Sequence, residues 1–594
     1  MPVDTIPQRL FDQAAKAPAS PAYYAKAGGT WVPTGYGLYA DQVKRAGKAL
    51  IALGFAPGSS VAILGANRPE WAILGLACMA VGGAPAGIYA TSSPVEARYI
   101  VNHTEAPIVL VDGEVQWQKI RAERANMPHL RWVVTMRGAR VDDPQVLSWD
   151  AFLGKGEKVA DATFFERLHA LEPGGVASLI YTSGTTGPPK GVMLSHANIA
   201  FAGTQALELT NVTWSDRILS YLPLSHIAEQ IFTLYGPITA GCCVYYAESI
   251  EKVPDNLREV RPTLFFAVPR IWEKFHAGVA AKLAATHGAK RLLADWAREV
   301  GRRASVYTMR GQRLPIALEA QYRLANRLFF TKVKEALGLD RGRFFVSGAA
   351  PVAREVLEFL ASLDIVVHEG YGMSENAGST SLNRLHKTKL GSVGIALRGV
   401  DAKIADDGEI LTRGPNTFLG YYKEPAATAA AIVDGWLHSG DLGAIDADGF
   451  ISITGRKKDL IITAGGKNIA PTNIEAALKT HALVSEVVVI GDRRKHLTAL
   501  VVLDVDSATR FRQERGLADS GPLHADPAIV AEVRRGLDAV NADMARVEQV
   551  KKFVILPKPF SIETGELTPT LKVKRKVVEE KFSTEIESMY RDRD

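Results

Sequence analysis

The chain has 594 residues, 47% of them hydrophobic and 23% charged, with a net charge of +6. That length exceeds what one hydrophobic core organises, so at least two domains are expected, and the composition excludes a disordered chain. A net charge so small for the length gives no argument for nucleic acid, although it tolerates anionic ligands or an anionic membrane surface.

Three cysteines, Cys78 and the adjacent Cys242 and Cys243, form no disulfide framework and no Cys-x-x-Cys pair, which points to a reducing compartment, the cytoplasm. The N-terminal stretch carries Asp4, Arg9 and Asp12 and lacks an apolar core of signal-peptide length. Residues 39–53 place Val43, Ala46, Leu50 and Leu53 at helical spacing, and Gly54 ends that helix. Ser60–Leu64 reads as a buried strand. From Trp71 to Val95 the chain is uncharged and long enough for a membrane span, but Gly75, Gly82, Gly83, Pro85 and Gly87 interrupt it. A buried helix followed by a strand fits better, so a soluble protein is expected. Ile108–Asp112 and Trp132–Met136 continue an alternation of strands and helices, which implies βαβ units and a parallel sheet. Residues 138–175 read as an irregular connection.

The apolar run Val176–Ile180 empties into Tyr181–Val192, YTSGTTGPPKGV. Glycines let successive backbone N–H groups close around anionic oxygens; Gly184 and Gly187 serve that purpose here. Thr182, Ser183, Thr185 and Thr186 add hydroxyl donors, and Lys190 adds a point charge. The Walker A spacing is not met, so this is a polyphosphate cradle of another kind. A helix is expected from about Ser195. In SYLPLSHIAEQ (residues 220–230), His226 taken alone reads as a packing residue. Residues 270–338 form an Arg-, Lys-, Ala- and Leu-rich stretch that reads as a solvated helical hairpin.

Phe344–Val352, FFVSGAAPV, reads as a strand and a turn whose Gly348, Ala349 and Ala350 would let a flat base approach the backbone. In the following VVHEGYGMSENAG, Tyr371 offers an aromatic face and Glu375 a carboxylate suited to Mg²⁺. Asp441 reads as a turn residue after a short strand. Beyond GRKKD a smaller αβ pattern follows: a helix after Pro471, the strands Val484–Asp492 and Leu497–Asp504, a polar loop over 506–526, a helix near 527–546 and the strand Phe553–Leu556. Lys572, Lys574, Arg575 and Lys576 read on their own as a solvated charge run.

Together YTSGTTGPPKGVMLSH, SYLPLSHIAEQ, YGMSENAG, ITAGGKN and GELTPTLKVKR resemble the adenylate-forming enzymes. PRIWEK and the long insertion resemble the long-chain fatty acyl-CoA synthetases, closest to their bubblegum-type branch, from about residue 20 to the C-terminus. The resemblance implies an α/β fold. A large N-terminal domain of parallel-rich βαβ sheets packed with helices (1–457, with the helical insertion at about 270–338) would precede a small mobile α+β domain (458–594), turning on Lys458.

It implies that Thr182–Lys190 hold the ATP phosphates and that Thr182 and Glu375 hold Mg²⁺. Adenine, ribose and AMP would be bound by Gly348, Ala349, Ala350, Glu369, Gly370, Tyr371, Gly372, Ser374, Asp441 and Arg456. His226 would lie beside the acyl carboxylate, Lys572 would reach the reacting phosphate, and Gly465 and Gly466 would line the CoA path. Two departures stand out. Ser374 replaces the usual threonine and keeps its hydroxyl, and Ile462 replaces a lysine, so no nucleotide contact is carried over there.

The implied substrates are a fatty acid, ATP and CoA, with no nucleic acid. A long acyl substrate favours peripheral contact with the inner membrane face. The reaction is formation of acyl-AMP and pyrophosphate, then of acyl-CoA and AMP. The same motifs serve acyl-AMP ligases that load a carrier protein, luciferase-type oxygenases and a non-catalytic acyl-binding homologue. A Gly-x-Ser-x-Gly hydrolase signature is missing. Acyl chain length and oligomeric state are not encoded in any spacing.

Overall fold

In the computed structural model, which describes residues 3–182, 188–516, 521–568 and 572–591, Ser60–Leu64 is an inner strand of an eight-stranded sheet. Its neighbours are Ala84–Ile88 and Ile108–Val111, both parallel to it, followed outward by Trp132–Thr135 and Val146–Leu147. On the other side Val176–Thr182 runs parallel to Ala84–Ile88, then pairs antiparallel with Lys190–Ser195, on which the short strand Gly420–Tyr421 closes the edge. The inner strands are buried on both faces, which is why they read as unbroken apolar runs.

A nine-stranded sheet contains, in order from one edge, Ile395–Ala396, Ser381–Leu382, Val367–Tyr371, Phe344–Ser347, Leu264–Ala267, Arg217–Ser220 and Cys243–Tyr246, then Pro21–Ala27 and Thr30–Gly35. Helix Pro69–Ala80 is buried from Glu70 to Ala80, so the uncharged stretch is an interior helix rather than a span. Among the described residues no helix is long and apolar enough to cross a membrane. A third sheet is formed by Asp401–Ile404, Glu409–Arg413, Trp436–Ile445, Ile432–Val433 and Ile451–Arg456.

In the C-terminal part, Val484–Ile490, Leu497–Leu503 and Val550–Ile555 form a three-stranded sheet. Its alternate residues face two cores. Val487, Val489, Ala499 and Val501 pack under helices Pro471–Leu478 and Pro527–Ala542, whereas Val488, Leu500 and Val502 pack under Arg575–Lys581 and Ser583–Tyr590. Covering both faces explains the continuous apolar sequence of these strands.

Several sequence-based expectations need correction. The connection over 138–175 is not irregular. It holds helices Trp149–Lys155 and Asp161–His169, whose Trp149, Phe152, Phe164 and Leu168 enter the main core. The polar stretch after Leu503 begins as helix Val505–Glu514, capped by the Asp504 carboxylate, which accepts from the Ser507 N–H at 3.0 Å. Residues 270–338 are more than a solvated hairpin. Gly288–Met309 and the run from Ile316 to Leu337 build a small core of Ala297, Val300, Leu318, Ala325 and Phe330, and Trp272 and Val279 of Pro269–Ala284 join the neighbouring core of Phe265 and Phe345. Arg575 is no solvated charge: it donates to the Val489 carbonyl at 2.7 Å and to Glu475 at 2.6 Å.

Candidate active site

The root of the Gly/Thr loop is held by a buried ring and a strand pairing. Tyr181 is buried and its hydroxyl lies 2.8 Å from His103 Nδ1, and Thr182 is the register partner of Lys190. Ser183, Gly184, Thr185, Thr186 and Gly187 lie outside the described residues. Lys190 emerges opposite, its Nζ 4.9 Å from the centre of the Tyr421 ring. The Tyr421 hydroxyl donates to Glu375 Oε1 at 2.8 Å. The edge strand Gly420–Tyr421 therefore links the loop's lysine to the carboxylate. Sequence reading passed over Tyr421, and no local spacing marks it. Its role follows only from its pairing with Val192.

Glu375 sits in the short 3₁₀ turn Ser374–Asn376, buried, and burial holds its pKa above the ordinary carboxylate value despite the Tyr421 hydrogen bond. A buried carboxylate with a raised pKa is poised to gain from a cation. Among the described residues no cluster of three or more His, Cys, Asp or Glu side chains could hold a metal. Mg²⁺ held largely by substrate phosphates asks the protein for only one or two oxygen ligands. Glu375 and the Thr182 hydroxyl are residues of the right chemistry.

Asp441 does not occupy a turn. It lies within strand Trp436–Ile445 and is the register partner of Arg456 on Ile451–Arg456. Arg456 Nε donates to Asp441 Oδ1 at 2.7 Å, and the Tyr371 hydroxyl donates to Oδ2 at 2.7 Å. Asp441 is thus buried between an aromatic ring and a guanidinium. Burial works against the Arg456 charge, but Asp441 outweighs it and the Arg456 pKa is raised. The strand assignment is hidden in the sequence because Ser439, Gly440 and Asp441 are turn-favouring residue types.

Phe344–Ser347 and Val367–Tyr371 run parallel, so the turn after Ser347 and the Tyr371 end of the second strand emerge together. Ala349 has φ of 70°, a left-handed conformation that an alanine holds only where its surroundings require it. Ala349 and Ala350 are exposed, whereas Gly348 is buried against Phe266, whose ring would stand 3.3 Å from an added Cβ. At Gly372 an added Cβ would stand 2.2 Å from the Gly378 carbonyl oxygen, so this tight turn admits only glycine. Glu369 is turned elsewhere: its carboxylate accepts from the Gly391 N–H at 2.8 Å, and burial raises its pKa to about 7.

His226 caps the short helix Ile227–Gln230, its Nδ1 accepting from the Ala228 N–H at 3.2 Å. Burial, then the positive charge of Lys572, lowers its pKa to about 4. At neutral pH the ring is therefore uncharged, and with Nδ1 accepting, its proton is assigned to Nε2. The loop before it is pinned from behind. Asn67 accepts from the Leu224 N–H at 2.9 Å and donates to the Leu222 carbonyl at 2.5 Å and to Glu229 at 3.2 Å. Glu229 also accepts from Ser220 at 2.7 Å and Thr233 at 2.7 Å, and burial raises its pKa to about 7. These two residues carry no motif signature. Beside this loop, Phe232 stacks on Phe266 at 4.8 Å, so the wall near His226 and the wall behind Gly348 share one ring.

Lys572 arrives from the small C-terminal part on a strap whose ends are bridged at Leu567 and Val573. The Thr568 N–H donates to the Lys572 carbonyl at 2.8 Å, and the Lys572 N–H donates to Thr568 Oγ1 at 3.0 Å. The residue is exposed to water, yet protein from several elements surrounds its ammonium. Protein on several sides lowers its pKa, helped by Arg456 and opposed by Asp441 and Glu375. Lys572 therefore lies within electrostatic reach of His226, Glu375, Asp441 and Arg456, residues widely separated in sequence.

Lys458 is exposed in the 3₁₀ turn Lys457–Asp459, while Lys457 is held by Asp407 at 2.5 Å and Glu409 at 3.2 Å. Gly465 and Gly466 form the exposed tip of the hairpin Ile461–Ile462 and Asn468–Ile469, with Gly466 at φ 72°. That hairpin bonds to Asp492 and Arg494 of its own domain rather than to the cluster around Lys572.

Residues 10–422 match the AMP-binding enzyme family, and residues 458–594 match the AMP-binding enzyme C-terminal domain. The chain is 36% identical to the long-chain-fatty-acid–CoA ligase FadD15 of Mycobacterium bovis, with 99% of this chain and 97% of that one covered. It is 35% identical to the long-chain-fatty-acid–CoA ligase ACSBG2 of Homo sapiens, covering 99% and 92%. Among solved structures, the adenylation domain of a carboxylate reductase from Mycobacterium chelonae has a TM-score of 0.78 at 21% identity, over 100% of this chain and 92% of that one. This likeness speaks to the fold. With family matches at both ends and relatives spanning nearly its whole length, the chain belongs to the AMP-binding enzyme family.

Proposed function

We propose that this enzyme activates a long-chain fatty acid in two steps, using ATP with Mg²⁺ and then CoA. The observation that supports the site assignment most strongly is the convergence of Lys572 from the C-terminal part with His226, Glu375, Asp441 and Arg456. The substrate class is supported by the FadD15 and ACSBG2 relatives.

In the first step a carboxylate oxygen of the fatty acid attacks the α-phosphorus of ATP. A carbonyl C–O–P linkage forms, the bond from the α-phosphorus to the bridging oxygen breaks, and pyrophosphate leaves with the electron pair. The nucleophile is already an anion, so no general base is required, and the protein's work is positioning and charge neutralisation. Thr182 and Lys190, with the loop between them, hold the β- and γ-phosphates. Glu375 and Thr182 would hold Mg²⁺, which when bound offsets phosphate charge. The Asp441 carboxylate accepts from the ribose hydroxyls, with Arg456 on the phosphate side, and adenine lies against Gly348, Ala349, Ala350 and the Tyr371 strand. The neutral His226 ring donates from Nε2 to the fatty-acid carboxylate, and the Lys572 ammonium stands at the bond being made.

In the second step the CoA thiolate attacks the acyl carbonyl, a thioester forms and AMP departs. Lys572 fills the cleft that the pantetheine arm needs. We therefore place a hinge at Lys458, where the small domain begins, and a turn about it that withdraws Lys572 and brings Gly465 and Gly466 to the anhydride. Lys458 is exposed and forms no ion pair among the described residues, beside the anchored Lys457, which supports that pivot. The unpaired cysteines fit a reducing compartment, so we place the enzyme in the cytoplasm with peripheral membrane contact.

Incubation with palmitate, ATP and Mg²⁺ should give pyrophosphate exchange, and addition of CoA should give palmitoyl-CoA and AMP. Exchange without a CoA product, but with acyl transfer to a pantetheinylated carrier, would replace the CoA assignment. Loss of both would remove the catalytic reading.

A further inference from the structure

The net charge of the chain is carried by one segment. Between Gly288 and Leu337 there are eleven Lys or Arg and four Asp or Glu residues, a net of +7, so the other 544 residues together carry a net of −1. This is the two-helix part of the insertion, Gly288–Met309 and the helical run from Ile316 to Leu337. Three of its acids are engaged locally, in the pairs Arg291–Asp295, Arg302–Glu299 and Arg323–Glu319. Lys290, Arg303, Arg310, Arg313, Arg327 and Lys332 are exposed and form no ion pair among the described residues.

The same helices expose apolar side chains that a water-facing surface does not need. Ile316 is 90% exposed, Leu292 73%, Leu324 51% and Leu328 38%, although their inner faces are well packed around Phe330 and Leu318. On the second helix, Ile316, Ala320, Leu324 and Leu328 recur every four residues and interleave with Arg323 and Arg327 on one outward face. Isolated exposed leucines are ordinary, but a row of them beside Arg327, which forms no ion pair among the described residues, and the Glu319-paired Arg323, in a segment of net charge +7, has the chemistry of a surface that enters an anionic lipid interface. A nucleic-acid site would use the charges and leave the apolar row unexplained.

We infer that the outer face of Gly288–Leu337 docks the enzyme on an anionic phospholipid bilayer. This deepens the proposed membrane contact by giving it a location. It does not depend on catalysis, since docking is read without ATP or CoA. The helices supply the cationic face for the headgroups, and Ile316, Leu324 and Leu328 reach the acyl boundary.

The test is co-sedimentation of the full chain with vesicles of phosphatidylcholine alone or with 30% phosphatidylglycerol, at about 50 and 500 mM NaCl. Partitioning should be at least tenfold stronger on the phosphatidylglycerol vesicles at low salt and should fall at high salt. The double variant Ile316→Asp/Leu324→Asp should lose at least tenfold in partitioning while retaining wild-type acyl-AMP formation from octanoate, which shows that it is folded. A second variant, Arg313→Gln/Arg327→Gln, should lose the preference for phosphatidylglycerol. Equal partitioning of wild type and variants, binding indifferent to headgroup charge, or binding to duplex DNA or RNA with none to vesicles would each overturn the inference.

Discussion

Asp441 and Arg456 face each other as register partners on adjacent antiparallel strands, with Arg456 Nε 2.7 Å from Asp441 Oδ1. Both act on Lys572, with opposite sign: Asp441 raises its pKa and Arg456 lowers it. The protein around its amine, with Arg456, already holds that pKa below the ordinary lysine value. If the first half-reaction needs the charged amine, it should fail on the alkaline side at a pH below where a free lysine titrates. Asp441→Asn removes the raising influence and should move that alkaline limb to lower pH, and Arg456→Gln should move it to higher pH. Pyrophosphate exchange measured from pH 7 to 10.5 checks both. Shifts in the same direction would break the assigned coupling.

Tyr421 joins Glu375 to Lys190. Its hydroxyl bond to a carboxylate is worth about 1.5–3 kcal/mol, and it fixes the carboxylate's orientation. Tyr421→Phe should raise the Mg²⁺ concentration for half-maximal pyrophosphate exchange several-fold and lower the maximum modestly. Glu375→Ala should raise it far more. A magnesium titration of both variants decides the point, and an unchanged Glu375→Ala curve would remove that residue from the metal.

The strap carrying Lys572 is tied down by Glu566. The Lys581 ammonium and the Thr564 hydroxyl bind its carboxylate, and its carbonyl accepts from the Lys574 N–H at 2.7 Å. Burial would raise the Glu566 pKa, but those donors outweigh it and hold it at about 2. The sign is that of a depressed acid. The contribution is complete above the unfolded value, near pH 4.5, and is lost as pH falls toward 2. At about 1.4 kcal/mol for each pH unit between the two values, it amounts to about 3 kcal/mol. Glu566→Gln should therefore lower the thermal midpoint at pH 7 and show a shallower loss between pH 5 and 3 than wild type. Parallel pH profiles would contradict this.

Much of the fold was legible because its strands are short, apolar and separated by helices of clear period. Ser60–Leu64, Ile108–Val111 and the strand pair after Val484 needed only their own residues. The resemblance to the bubblegum-type branch agrees with the ACSBG2 relative at 35% identity. What stayed hidden depended on partners distant in sequence. Asp441 looks like a turn residue until strand Ile451–Arg456 pairs with it. Tyr421 is one of two adjacent tyrosines until Gly420–Tyr421 joins the sheet edge. Asn67 and Glu229 share one network across more than 160 positions, which no window of sequence contains. Arg575 looks like a surface charge for the same reason: its partners Glu475 and Val489 lie in other elements.

The central claim is that Lys572 serves adenylation and must leave before thioester formation. It is tested most directly by measuring the two half-reactions separately in Lys572→Ala. Acyl-AMP formation from palmitate and ATP should fall by about 10²–10³, the usual effect of removing one preorganised donor. Thioester formation from supplied palmitoyl-AMP and CoA should stay within a few-fold of wild type. An equal fall in both half-reactions, or a selective fall in the second, would contradict it.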